Sequence, residues 1–161
     1  MALPQPQQYF RYLSNIKILV LMLLCPCLTL QSCSHKKQVY KSECDNGISF
    51  QKISFNQLID SISRYDQQYI EVSGKYLEDK DVSALFSEST LTTGNGLWVN
   101  FSQDCPLYLA GTRHGLFEYN DGQYTQLNNR LVTIRGRIDV YNKGNHKKYK
   151  ATIDRVSLVK L

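Results

Sequence analysis

Residues 131–161, LVTIRGRIDVYNKGNHKKYKATIDRVSLVKL, carry the pattern that decides the fold. Apolar and polar side chains alternate from Leu131 to Tyr141, which is typical of a half-buried strand. The Asn and Gly residues at 142–145 predict a turn. Residues 148–153 predict a returning strand, which residues 156–161 continue after a short break. The C-terminal part of the chain is therefore predicted to form a long hairpin.

A second stretch resembles the first half of this hairpin. YIEVSGKYL (69–77) and LVTIRGRID (131–139) each alternate, contain one glycine and place a basic residue directly after it. Gly74 and Gly136 predict bulges or sharp bends within their strands. A strand that bends at a glycine can serve both halves of a small closed barrel.

The remaining elements are shorter. Residues 97–101, LWVNF, predict a strand, and residues 84–86 predict a further short strand. Residues 111–129 contain Gly, Asn and Asp and predict a loop. Ser54 and Gln57 form a capping box, which predicts a helix of about three turns that covers the core. Its apolar stripe consists of Phe55, Leu58, Ile59 and Ile62.

The C-terminal stretch is similar to a pattern in small uncharacterised bacterial OB-fold proteins. There a Gly-containing strand ending in Asp leads through a Gly-His loop into a strand that begins near a Tyr. The resemblance implies a mainly β protein, with a small five-stranded OB-like barrel and one N-terminal helix. It implies no established reaction. The matching positions are Gly136, Ile138, Asp139, Gly144, His146, Tyr149 and Ile153.

The N-terminal residues predict a targeting segment rather than part of the fold. Arg11 and Lys17 precede residues 18–30, which carry no charge. This run of 13 residues is shorter than the ~20 that span a bilayer. Its length suits the apolar region of a signal peptide.

Residues 30–33, Leu-Gln-Ser-Cys, resemble the lipobox of bacterial lipoproteins. The resemblance implies cleavage after Ser32 and attachment of fatty acyl chains such as palmitate to the new N-terminal residue, Cys33. Because Ser34 is not Asp, it also implies a lipid-anchored protein of the outer membrane that faces the periplasm. The expected organisation is a signal peptide at 1–32, a lipidated tether at 33–50 and an OB-like barrel at 51–161.

Composition and charge limit the possible partners. The chain has 161 residues, a net charge of +5 and an aromatic content of 11%, which is too high for a disordered chain. Removal of the signal takes away two basic residues and lowers the net charge from +5 to +3. So mild a charge in a periplasmic protein gives no reason to expect a nucleic-acid partner.

The cysteines support the same compartment. If Cys25 and Cys27 leave with the signal and Cys33 is lipidated, Cys44 and Cys105 remain. In an oxidising compartment they are expected to form one disulfide, and the alternative is two free thiols. We expect no metal and no cofactor, because the cysteines and the three histidines show no ligand spacing. The histidines are His35, His114 and His146.

Residues 142–150, NKGNHKKYK, form the candidate ligand site. Basic side chains beside aromatic rings can bind an anionic glycan or a lipid headgroup. The alternative is a solvated hairpin tip whose lysines keep a sheet edge from pairing. Trp98 is either a further binding platform or a packed side chain. The candidate contacts are Tyr141, Lys143, His146, Lys147, Lys148 and Tyr149, with Trp98 and the additional Lys150.

These features predict a non-catalytic binding or envelope-assembly module anchored to a membrane. One alternative is a protein–protein assembly subunit of an envelope complex. Another is a small hydrolase that uses His114 in the loop GTRHG, with Glu118 close in sequence. We expect no enzymatic activity, because the sequence contains neither a phosphate-binding glycine loop nor a Gly-x-Ser-x-Gly motif.

Overall fold

A computed structural model describes residues 37–44, 47–89, 91–118 and 125–161. The predicted signal peptide and the predicted lipidation site Cys33 lie outside these residues. Within them, no helix is long and apolar enough to cross a membrane. Eight strands form one sheet: β1 (Val39–Lys41), β2 (Gln51–Ile53), β3 (Tyr69–Asp79), β4 (Val82–Phe86), β5 (Leu97–Val99), β6 (Tyr108–Leu109), β7 (Arg130–Asp139) and β8 (Ala151–Lys160).

Five of these strands close into a barrel. Antiparallel pairing joins β3 to β4, β4 to β5, β3 to β7 and β7 to β8. The parallel pairing of β5 with β8 completes the ring. The predicted small, mainly β, five-stranded OB-like barrel is thereby confirmed.

Three short strands extend the sheet beyond the barrel. β2 lies parallel to β3, and β1 lies between β8 and β6. Tyr40 in β1 is buried in the core. The sheet therefore already includes Val39–Lys41, which lie within the stretch interpreted as a tether. A strand of three residues is too short for its alternation to be visible in the sequence.

The predicted helix is present but short. α1 (Phe55–Asp60) begins after Ser54, whose Oγ accepts a hydrogen bond from the N–H of Gln57 at 3.4 Å. Phe55 and Leu58 are buried under it. After Ser61 the chain continues as the 3₁₀ turn Ile62–Tyr65, so the α-helical part is shorter than the three turns predicted. α1 is the one α-helix among the described residues.

Gly74 and Gly136 lie where two backbones approach each other closely. A Cβ on Gly74 would lie 2.6 Å from the carbonyl oxygen of Phe86, and a Cβ on Gly136 would lie 2.6 Å from Ile153 Cγ2. Opposite Gly136 the register of β8 shifts, because Arg135 pairs with Leu158 and Arg137 pairs with Asp154. The break predicted within the last strand is therefore a bulge in a continuous β8.

Side-chain contacts hold the segment between β5 and β7 against the rest of the fold. The Glu78 carboxylate accepts hydrogen bonds from the N–H and the hydroxyl of Thr125, at 3.0 and 2.6 Å. Cys44 and Cys105 lie at disulfide-bonding distance, with their Cα atoms 5.7 Å apart. Three leucines of the segment belong to the barrel core, namely Leu107, Leu116 and Leu127.

We predict that Gly136→Ala destabilises the barrel. The new methyl group would meet Ile153 and the carbonyl oxygen of Asp154 at 2.6 and 2.7 Å. Such overpacking lowers the free energy of unfolding by about 1–3 kcal/mol. Gly94→Ala is the matched control, because a Cβ there has no atom within 4 Å. Urea unfolding followed by circular dichroism measures both, and equal stability of the two variants would contradict the close approach.

Candidate functional site

Residues 141–150, which we call the basic loop, connect β7 to β8. The Oδ1 atom of Asp139 accepts hydrogen bonds from the N–H groups of Tyr141 (2.9 Å) and Asn142 (3.1 Å). The Oδ1 atom of Asn142 then accepts the N–H of Gly144 at 3.0 Å. These side-chain acceptors fix the first half of the loop in the turn that its Asn and Gly residues predict.

The basic loop folds back over the outer surface of the barrel. Gly144 has a φ of +63°, and a Cβ there would lie 2.5 Å from Trp98 Cγ. Only a glycine can therefore occupy this position without displacing the indole. Asn145 Nδ2 donates to the carbonyl oxygen of Asp81 (3.4 Å), in the turn between β3 and β4. The loop thus contacts both β5 and the β3–β4 turn.

A cluster of three aromatic rings holds the end of the basic loop. The ring centroid of Tyr149 lies 5.3 Å from that of Trp98 and 6.4 Å from that of Phe86. Tyr149 is only 4% exposed, and burial raises the pKa of its phenol. Trp98 is partly buried in the same cluster. The structure therefore brings Trp98 and Tyr149 together as packed side chains that fix the loop.

The basic side chains of the loop face solvent. The loop contains no Asp or Glu. None of its lysines forms an ion pair in the part of the chain that the structure describes. The Asp81 carboxylate approaches the loop, with its Oδ1 atom 3.5 Å from Asn145 Nδ2, but it forms no ion pair with these lysines. The exposed side chains are Lys143, His146, Lys147, Lys148 and Lys150, together with Tyr141.

The backbone at the tip of the basic loop is strained. His146 and Lys147 are consecutive and both have a φ of +55°, in the left-handed region. For residues with a side chain this conformation costs about 1–2 kcal/mol each. The N–H of Lys147 donates to the carbonyl oxygen of Gly144 at 3.2 Å, which helps to hold the turn. Strain of this kind is concentrated at functional sites in proteins.

Two residues that support the basic loop, and one buried hydroxyl on the strand beside Trp98, were missed from the sequence. Phe86 could have been found, because the alternation of β4 places it on the same face as Ala84. Asp81 could not have been found, because its role is to accept a hydrogen bond from Asn145, and the sequence does not reveal this contact. Thr152 pairs in register with Trp98 and is fully buried. Its hydroxyl has no hydrogen-bond partner among the described residues, and the sequence contains no sign of this.

A cleft of about 520 Å³ lies beside Cys105. The rings of Phe101 and Phe117 meet edge to face on its wall, with centroids 4.9 Å apart. Tyr108 and Phe117 are both exposed. Its size lies within the range of small-molecule and side-chain pockets. The apolar residues of the wall are Phe101, Pro106, Leu107, Tyr108, Leu116 and Phe117.

The predicted His114 loop borders this cleft, because Gly115 and Glu118 line it. His114 Nδ1 is 3.1 Å from Glu118 Oε2, and Glu118 also accepts the N–H of Gly115 at 3.0 Å. The Gly115 N–H, followed by His114, lowers the pKa of Glu118. The Thr112 hydroxyl donates to the carbonyl of Leu109 (2.9 Å) rather than to the imidazole. Within the described residues, no hydroxyl or thiol is hydrogen-bonded to the ring of His114.

Neither metal ligands nor relatives indicate an activity. In the described ranges, no group of three or more His, Cys, Asp or Glu side chains is placed to hold a metal ion. The chain matches no protein-family model, no curated protein and no solved structure. What the protein does must therefore be argued from the geometry of the basic loop and the cleft.

We predict that Tyr149→Ala releases the basic loop from the barrel. Loss of a buried aromatic ring lowers the free energy of unfolding by about 3–5 kcal/mol. The fluorescence emission of Trp98, the only tryptophan of the chain, should shift to longer wavelength because the indole becomes exposed to water. Tyr149→Phe keeps the ring and should change neither quantity. An unchanged Trp98 emission in Tyr149→Ala would show that the ring does not hold the loop.

Proposed function

We propose that this protein is a non-catalytic binding module, held at a bacterial membrane, whose basic loop binds an anionic ligand. One observation carries the proposal: four lysines without ion-pair partners in the described structure project from a loop that contains no acidic residue. Phosphate, carboxylate or sulfate groups on a glycan or a lipid headgroup are the ligands that such a surface attracts. No catalytic step, cofactor or nucleic-acid partner is part of the proposal.

The fixed conformation of the basic loop supports a binding role. The side-chain Oδ1 acceptors of Asp139 and Asn142, the Trp98–Gly144 contact and the burial of Tyr149 define its backbone before any ligand arrives. A loop that is already ordered loses less conformational entropy on binding than a flexible one. A hairpin tip that only protects a sheet edge needs no such fixation.

The cations of the loop also limit what it can recognise. All four are lysines. A lysine acts as a compact point charge, whereas the planar guanidinium of an arginine donates paired hydrogen bonds. The loop is therefore suited to a dense anionic surface and not to one particular carboxylate or phosphate. Its binding should weaken as the salt concentration rises, because exposed charges are screened.

The cell-envelope location is proposed from the N-terminal residues. The apolar run at 18–30 and the sequence Leu-Gln-Ser-Cys at 30–33 support a lipid on Cys33 and an address in the outer membrane, facing the periplasm. The 5.7 Å between the Cα atoms of Cys44 and Cys105 supports a disulfide, which requires an oxidising compartment. On the chain-entropy model such a bridge adds about 4 kcal/mol of stability.

A second candidate function is protein–protein assembly through the aromatic cleft. The exposed rings of Tyr108 and Phe117 beside the Cys44–Cys105 pair favour it, because aromatic side chains are enriched at interfaces. This surface is separate from the lysines of the basic loop in sequence and in chemistry. Charge reversal in the loop therefore distinguishes the two functions.

We predict that Lys147→Glu with Lys148→Glu abolishes binding to anionic ligands. Each lysine near an anionic surface contributes about 1 kcal/mol, so loss of two weakens binding at least about 25-fold. Dextran sulfate and vesicles containing phosphatidylglycerol are suitable probes, measured by titration. Raising the salt from about 0.1 M to about 1 M should have a similar effect, because the Debye length falls from about 10 Å to about 3 Å.

The matched control for this prediction carries the same change of charge elsewhere. Lys52 on β2 and Arg64 in the 3₁₀ turn are both exposed. Lys52→Glu with Arg64→Glu should leave binding nearly unchanged. If both double variants lose binding equally, net charge rather than the basic loop determines it. If the loop variant still binds an envelope protein, the aromatic cleft is the functional surface.

We also predict that Cys33→Ala prevents membrane attachment. The natively expressed chain should lack residues 1–32, carry acyl chains and partition with membranes, because two or more chains anchor a protein stably. Its mass should be lower by two hydrogens if Cys44 and Cys105 are bridged. Intact mass and membrane fractionation measure these properties. An uncleaved, lipid-free wild-type chain would contradict the location.

A further inference from the structure

We propose that the ligand of the basic loop is the surface of an anionic lipid bilayer, with the ring of Tyr141 at the headgroup level. This inference rests on the proposed function and narrows its ligand from anions in general to a lipid surface. The observation behind it is an exposed aromatic ring among lysines that have no ion-pair partner in the described structure.

Tyr141 is unusually exposed for an aromatic side chain. It is 85% exposed, against 45–55% for the other exposed large hydrophobic residues among those described. Its neighbours in the loop are charged or polar rather than apolar. A phenol ring with an apolar body and a polar tip favours the interface between headgroups and acyl chains. The exposed ring therefore fits a boundary between water and lipid.

The combination of ring and lysines favours a bilayer over a soluble anion. A dissolved phosphate or sulfate ion could neutralise the lysines but would leave the Tyr141 ring in water, and a glycan stacked on the ring would cover only one of its faces. A bilayer presents phosphate groups to the lysines and an apolar layer to the ring at the same time. Basic residues beside aromatic ones are the usual composition of segments that bind at a membrane surface.

The position of Tyr141 in the loop is set without a ligand. The Asp139 carboxylate accepts hydrogen bonds from the N–H of Tyr141 at 2.9 Å and from the N–H of Asn142 at 3.1 Å. Gly144 and Tyr149 attach the following residues to Trp98. The lysines at 143, 147, 148 and 150 and the ring at 141 thus extend from one ordered loop. A partner that binds this loop does not have to order its backbone first.

The covalent reach of the chain is compatible with two points of membrane attachment. A lipid on Cys33 would be six residues from Val39, which limits their separation to about 20 Å. Val39 pairs with Lys160, at the end of β8, whereas the basic loop precedes Ala151 at its start. A strand of ten residues spans about 33 Å.

The test places an indole at the proposed contact. The full chain carrying Tyr141→Trp is reconstituted into vesicles of brominated phosphatidylcholine, with or without phosphatidylglycerol. We expect its emission to shift to shorter wavelength and to be quenched only when phosphatidylglycerol is present. The same change combined with Lys147→Glu and Lys148→Glu should lose both effects. The unmodified chain, whose single Trp98 lies under the loop, gives the baseline.

Binding of dextran sulfate to the full chain separates this inference from the proposed function. Suppose that dextran sulfate binds through the lysines but the indole at position 141 stays in water on anionic vesicles. The inference that the ligand is a lipid surface is then overturned, and the proposed anion-binding function stands. If neither probe responds, both are overturned. Equal quenching with and without phosphatidylglycerol would also overturn the inference, because the contact would not depend on charge.

Discussion

The barrel depends on two places where one backbone approaches another too closely for a side chain. At Gly74 the carbonyl oxygen of Phe86 lies where a Cβ would be, and at Gly136 the bulge of β8 occupies that space. These contacts let β3 and β7 curl, so that β5 can meet β8 in parallel and close the sheet. Without the curl, the five strands would remain an open sheet with two unpaired edges.

Closure of the sheet also determines how the basic loop is presented. β5 lies beside β8, and the connection from β7 to β8 packs against Trp98 of β5. Gly144 and Tyr149 provide the contacts of this packing, and both contact the indole. The lysines between and beside them are left on the solvent side. The surface that we propose to bind a ligand thus lies on the connection between the last two barrel strands.

Sequence periodicity predicted β3 and β7 well, because each alternates over at least five residues. Gly74 and Gly136 indicated the bends, and the break in the last strand proved to be a bulge. The sheet start at Val39 could not be predicted, since three residues carry no periodicity and their pairing partner lies at the other end of the chain. Whether Trp98 is packed or exposed could not be predicted either, because its burial depends on Gly144 and Tyr149, which are distant in sequence. The lysines of the loop were predicted as a group, but their fixation by Asp139 and Phe86 required the structure.

The most direct test of the binding surface is an NMR titration of isotope-labelled protein with bicelles that contain phosphatidylglycerol. We predict that shift changes and line broadening concentrate in the amides of residues 141–150 and in the indole of Trp98, and that added salt reverses them. Changes concentrated at residues 101–118, around the aromatic cleft, would contradict this assignment. A perturbation that added salt does not reverse would contradict it as well, because binding through exposed lysines must be screened.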